Sequence, residues 1–300
     1  MAVKVALAGA TGNMGPAILQ AMLDAGFEVT ILTRQGSTST DSLPVNSSQR
    51  IVKVDYSDVN VLKSALQGIE VVVSTLASAA LDTQKPLIDA ALAAGVKRII
   101  PSDFGSDLDN PLDRKLPVFQ GKVKTQEYLE ELAKSNPNFT YTHMYNGLFF
   151  DWGIQIGLIV NAKEHKATIY DGGDVPISMT TLSTIGHAVV GVINNLDATK
   201  NRAVRYHNGV FSQNKLIDMF KKIDGKDWTT EQASTAEIEK GAYEALEKGE
   251  NIEMAMLDFI RRAAFSKEHE PAFTGKLDNE ILGVKEMTHE EVVEMLKGLL

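Results

Sequence analysis

Over roughly the first 145 residues, short apolar runs alternate with stretches of helical period, and this order restricts the fold more than any other feature. The runs are "KVALAG", "FEVTILTR", "RIVKVD", "VVVSTLA", "KRIIPSDFG" and "FTYTHM". Strands that alternate with helices are joined by crossovers and so form parallel βαβ units. The runs are nearly continuous rather than alternating in polarity, as in a parallel sheet buried on both faces. The expectation is an α/β fold built on a doubly wound parallel sheet. Gly26 and Gly95 stand where helices should end, and Asp58 is placed to cap "VNVLKSAL". Residues 36–50 have loop composition, so the second crossover helix is expected to be short or absent.

The pattern changes near residue 150. "ATIYDGGDVPISM" reads as two short extended pieces around a Gly-Gly turn, "TLSTIGHAVVGVINN" as a helix and "AVRYHN" as a strand. From about residue 212 the chain is helical and charge-rich. Ser234 with Glu237, and Thr288 with Glu291, have capping-box spacing. There is no repeat and no long linker. Residues 151–300 are therefore expected to form a smaller, mostly helical, substrate-binding part. It should pack closely on residues 1–150, with some segments returning to the sheet.

Composition excludes several functions. The 300 residues carry a net charge of -9, a poor match for nucleic acid or an anionic membrane. There is no cysteine, which removes disulfides, thiolate zinc sites and cysteine nucleophiles. The six histidines show no metal-ligand spacing, so no metal is expected. The N-terminus lacks signal-peptide character and no segment is apolar enough to span a membrane, which suggests a cytoplasmic location.

The motif "GATGNMG" follows the first strand and opens a helix, with glycines at 9, 12 and 15. Gly9 permits the sharp turn, Gly12 lets the backbone approach a pyrophosphate, and Gly15 allows close helix–strand packing. Thr11, Asn13 and Met14 complete the turn. The alternative is a purely structural turn, but at the head of a βαβ series the motif favours a dinucleotide and makes residues 1–150 an NAD(P)-binding Rossmann domain. The second strand ends in "ILTRQGSTST" with no acid before Asp41. Arg34 and the hydroxyls beyond it suit a 2′-phosphate, so the expected cofactor is NADPH. Asp55, after the third strand, either approaches the adenine or caps a turn. Thr75, Leu76 and Ala77 follow the fourth strand and should line the cofactor groove.

"VFQGKVKTQEYLEEL", residues 118–132, reads as an amphipathic helix with one misplaced residue. Val118, Thr125, Leu129 and Leu132 share a face, and Lys122 fills the gap in it. Lys124 lies on the side of Tyr128 and Glu131. No tyrosine is followed by lysine four residues later, and there is no HExxH or GxSxG. Lys122 either borders an active site or snorkels to water.

"GATGNMG", "LTR", "PSDFG", the "FQGKVK" helix and "YNGLFFDW" occur in an order that resembles the isoflavone reductase-like family of the NmrA-like group, atypical short-chain dehydrogenases. That family includes phenylcoumaran benzylic ether and pinoresinol–lariciresinol reductases, and the chain most resembles a fungal aromatic alcohol reductase-like member. The resemblance covers most of residues 3–222. It implies that Lys122, three residues after Phe119, is the family's essential lysine. It places Ser102, Asp103 and Phe104 of "PSDFG" beside the cofactor, with Asp103 in the family's acidic position. Asn146 and Phe149 correspond to an asparagine and aromatic near the nicotinamide. Asp103 could equally cap a loop, and His143 reads as a core histidine. Gln126 and Glu127 stand where the family often has a basic pair. The implied activity is NADPH-dependent hydride transfer to an aromatic or phenylpropanoid-like small molecule, with Lys122 as general acid or base. The rival is a dinucleotide-binding redox sensor that regulates a protein partner without turnover. A homodimer is left open.

Overall fold

The computed structural model describes residues 2–43, 46–275 and 277–300. Its first half contains β1 (Lys4–Ala8), α1 (Gly15–Asp24), β2 (Glu28–Arg34), β3 (Gln49–Val54), α2 (Val59–Ala65), β4 (Val71–Ser74), α3 (Gln84–Ala94), β5 (Arg98–Ile100), α4 (Gln120–Ser135) and β6 (Thr140–Tyr145). The second half adds β7 (Leu148–Phe149), α5 (Phe150–Gln155), β8 (Lys166–Tyr170), β9 (Ile177–Thr180), α6 (Leu182–Asn194), α7 (Leu196–Thr199), β10 (Arg202–Arg205), β11 (Gly209–Phe211), α8 (Gln213–Asp224), β12 (Thr229–Ala233), α9 (Thr235–Lys248), α10 (Ile252–Phe265), α11 (Asn279–Leu282) and α12 (His289–Lys297).

The central sheet has seven strands in the order β10-β6-β5-β4-β1-β2-β3, and each pairing is parallel. Strand β1 shows why its residues are apolar throughout. Val5 and Leu7 point into one layer with Ile18 and Met22 of α1, while Ala6 and Ala8 point into the other with Leu62, Leu87 and Leu129. Successive side chains on a strand face opposite ways, so burial on both faces leaves no position for a polar residue.

The helix ends follow their caps. Asp58 accepts from the Asn60 and Val61 amides, Gly95 ends α3 in the left-handed region, and Ser234 accepts from the Glu237 amide. Thr288 and Glu291 form a complete capping box. Between β2 and β3 there is one 3-10 turn, Ser39–Ser42, and no α-helix among the described residues. Pro44 and Val45 of the expected loop lie outside the described residues.

The second half is not segregated from the first. Helix α6 buries Ile185, Ala188, Val189 and Val192 in the same core as α1. Strand β10 extends the sheet beside β6, with Val204 opposite Met144. The two extended pieces around Gly172 and Gly173 do not pair with each other: β8 pairs with β12, and β9 with β11 and β7. Phe150, Ile154, Phe211, Phe220 and Phe265 form a separate core there. Among the described residues no helix is long and apolar enough to cross a membrane. No group of three or more His, Asp or Glu among them could hold a metal.

Candidate active site

A cavity of about 820 Å³ runs along the C-terminal ends of the sheet strands. It opens where the strand order reverses between β1 and β4, the expected ligand crevice of a doubly wound sheet. The glycine turn forms one wall, and each glycine has its own constraint. Gly9 has φ +89°, and a Cβ there would lie 2.7 Å from the Thr75 carbonyl oxygen. At Gly15 a Cβ would lie 2.3 Å from the Gly9 oxygen, so helix and turn could not meet. At Gly12 the nearest atom would be 3.4 Å away, and that face lines the cavity. No side chain caps the N-terminus of α1, and Pro16 occupies its first turn. A bare backbone cradle ahead of an uncapped helix N-terminus fits a pyrophosphate.

Next along the cavity lie Thr11, Asn13, Met14, Arg34, Ser37, Ser39 and Thr40. The Thr11 hydroxyl donates to Ser39 Oγ at 3.2 Å, and Ser37 and Ser39 hydroxyls lie 2.8 Å apart. Arg34 is exposed at the end of β2, so a guanidinium and hydroxyls gather where a ribose phosphate would sit. Tyr56 also lines this end, its hydroxyl donating to the Leu32 carbonyl at 3.1 Å. Burial raises its phenol above the usual range, so it stays neutral.

In the middle, Thr75, Leu76, Ala77, Ser102 and Phe104 lie on the wall. The Thr75 hydroxyl donates to the carbonyls of Ala8 (2.9 Å) and Gly9 (3.0 Å), tying β4 to the turn. The Ser102 hydroxyl donates to the Leu76 carbonyl at 2.8 Å.

Lys122 stands on the first turn of α4. Val118 lies in the 3-10 turn before the helix, and Thr125 and Leu129 are buried as their phase predicts. Val123 and Gln126 are buried too, so the inward face is wider than the sequence suggests. Lys124 is exposed. The Lys122 ammonium donates to the Phe104 carbonyl at 2.7 Å, on the cavity wall rather than in open water. Burial lowers its pKa below the usual lysine value, and the Asp103 carboxylate pulls the other way. Beyond it the cavity is apolar: Phe119, Phe149, Trp152, Ile156, Leu257 and Ile260 line this end. The rings of Phe149 and Trp152 meet edge to face, 5.9 Å between centroids.

Four of the residues expected at the cofactor are off the cavity wall. Gly15 lies behind the turn it packs against. Asp55 caps its own turn, accepting from the Ser57 amide (2.8 Å) and hydroxyl (2.6 Å), which lowers its pKa. Asp103 is fully buried behind Phe104 and faces His143 Nδ1 at 2.6 Å. Asn146 is also fully buried and accepts from the Gly105 amide at 3.0 Å. The three polar side chains are engaged by neighbours instead: Asp55 by Ser57, Asp103 by His143 and Asn146 by Gly105. At the position of the expected basic pair, Arg114 donates to Gln126 (3.0 Å) and Glu127 (3.0 Å). Sequence reasoning did not find Tyr56, Leu257 or Ile260. Tyr56 carried a signal in its place next to Asp55 after β3; the two α10 residues reach the site only through long-range packing.

The NmrA-like family model matches residues 1–281. Oxidoreductase aprR of Aspergillus flavus is 36% identical over 260 residues, covering 86% of each chain. Oxidoreductase poxI of Penicillium oxalicum is 32% identical over 301 residues, covering 97% of this chain and 92% of its own. The solved structure of AtPrR2 with NADP+ and (+)pinoresinol superposes with a TM-score of 0.81 at 21% identity, covering 100% of this chain and 99% of that one. At that identity the last similarity establishes the fold.

Proposed function

The chain belongs to the NmrA-like family, and we propose that it serves there as an NADPH-dependent reductase of aromatic small molecules. The observation that carries this reading is one continuous cavity with three chemistries in sequence. A backbone cradle and Arg34 occupy one end, Lys122 the middle, and an aromatic, apolar wall the other. The cofactor, when bound, supplies a hydride. Gly9, Gly12 and the α1 N-terminus would hold its pyrophosphate, and Arg34 with Ser37, Ser39 and Thr40 its 2′-phosphate.

Trp152, Phe149 and Leu257 would hold a flat apolar substrate and exclude water from the transfer. Lys122 would meet the substrate oxygen. Burial lowers its pKa below the usual lysine value, which makes its proton easier to give up. The Phe104 carbonyl orients the nitrogen before substrate arrives. Relatives named oxidoreductases, and a structure of the same fold solved with NADP+ and (+)pinoresinol, support an enzyme over a silent sensor.

The test is NADPH oxidation with a panel of aromatic ketones, enones and benzylic ethers, using cofactor deuterated at nicotinamide C4. Deuterium recovered at a carbon of the product supports the reading. Tight NADPH binding with no turnover across the panel, and a co-purifying protein, would favour the regulator instead.

A further inference from the structure

We propose that Asp103 and His143 form a buried positioning pair for Lys122: they seat the Phe104 carbonyl against its ammonium and keep a carboxylate charge behind it. The proposal rests on the reading of Lys122 as the reacting group. Phe104 presents only a carbonyl to the Lys122 nitrogen, so the nitrogen is placed as well as that carbonyl is fixed. The residues on both sides of Phe104 are held by β6 and the two residues that follow it. Asp103 faces His143 Nδ1 at 2.6 Å. Gly105 donates to Asn146 Oδ1 at 3.0 Å and accepts from the amides of Asn146 (3.1 Å) and Gly147 (3.0 Å). Helix α4 closes the third side, because Gln126, one turn beyond Lys122, donates to Asp103 Oδ2 at 3.2 Å.

The pair holds more polarity than a simple clamp needs. Asp103 Oδ1 and His143 Nε2 are both buried without a hydrogen-bond partner. Two donors converge on Oδ2, an arrangement that suits an ionised carboxylate with His143 protonated on Nδ1 alone. A second proton on Nε2 would have no acceptor. The Asp103 carboxyl thus packs behind the Phe104 carbonyl that Lys122 touches. The other charged groups nearby are already matched. Arg114 is spent on Gln126 and Glu127. Asp107 and Asp109 are bound by Arg205, each with a 2.5 Å contact. Tyr145, which accepts from Gln126 at 3.1 Å and donates to Asp109 at 3.3 Å, is held neutral by burial. The Asp103 carboxylate favours the Lys122 ammonium.

A merely structural Asp–His pair would leave the Lys122 titration where it is. The experiment reads that titration directly, by NMR of protein labelled with ¹³C,¹⁵N-lysine, the Lys122 signal assigned by its loss in Lys122→Met. In Asp103→Asn the Lys122 midpoint should move to lower pH, because the anion that favours the ammonium is gone. His143→Leu should move it the same way, since the ring nitrogen that faces Oδ2 is gone and the carboxylate is no longer held in place behind Phe104. His143→Asn keeps a donor in reach of Oδ2 and should stay near the parental midpoint. The limb of the kcat–pH profile that belongs to Lys122 should move with the NMR midpoint, while NADPH affinity is unchanged. An unmoved midpoint in folded Asp103→Asn or folded His143→Leu overturns the proposal, and so does the failure of both variants to fold. Parental turnover in Lys122→Met would refute the catalytic lysine instead, and would leave a moved midpoint standing.

Discussion

Gly12 and Gly15 lie three residues apart in one turn, yet alanine should act oppositely at the two. A methyl at Gly15 would sit 2.3 Å from the Gly9 oxygen and 2.4 Å from the Ala10 carbonyl carbon. That is about 1 Å or more inside ordinary contact, and both obstacles are backbone that cannot swing aside. Overpacking of this kind costs about 1–3 kcal/mol, a large share of a typical stability of about 5–15 kcal/mol. At Gly12 the nearest atom would be 3.4 Å away, so the fold should hold. The same methyl would occupy the surface where the pyrophosphate is proposed to lie. Loss of one charge-assisted bond, about 1.5–3 kcal/mol, weakens NADPH about ten- to a hundredfold. Thermal melts and NADPH titrations of Gly12→Ala, Gly12→Val and Gly15→Ala separate the effects. Gly12→Val with parental affinity would refute the cradle, and Gly15→Ala with parental stability would refute the packing argument.

Arg34→Ala should remove most of the preference for NADPH over NADH, about one to two decades, in a calorimetric comparison of the two cofactors. Equal affinities in the parent protein would dispose of the 2′-phosphate assignment. Leu257→Glu should raise the KM for an aromatic substrate and leave NADPH binding unchanged, since Leu257 lines only the apolar end. If KM stays parental, α10 is not part of the substrate site. The stability of Lys122→Met relative to the parent should depend on pH. The folded-state pKa of Lys122 is lowered, so its ammonium weakens the fold most below that value. Denaturant melts should show stability held or gained in the variant near pH 7, with the advantage shrinking as pH rises toward the usual lysine range. A variant that loses ground at low pH and gains it at high pH would reverse the sign of this burial effect.

What could be read from the sequence follows from how local each signal is. The runs "KVALAG" and "VVVSTLA" became β1 and β4 because burial on both faces writes itself into consecutive residues. Lys122 could be picked out because helical phase alone puts it on an inward face, and its nitrogen does end on the cavity wall. Asp55, Asp103 and Asn146 could not be placed from sequence. Whether a polar side chain faces a cavity or a neighbour depends on atoms far along the chain. Asp103 meets His143, and Asn146 meets Gly105. Leu257 and Ile260 illustrate the same limit: α10 shows an ordinary amphipathic pattern, and only packing brings two of its residues over the site. The return of β10 to the sheet edge was expected only in outline, because "AVRYHN" says strand but not which strand it joins.

The most direct test of the account is Lys122→Met assayed with NADPH and the best aromatic acceptor found in the screen. Methionine keeps the length and the apolar stem but has no titratable nitrogen. The account predicts that kcat falls by about 10²–10⁴ while the NADPH dissociation constant is little changed. A Lys122→Met protein that reduces the same acceptor at the parental rate would contradict it.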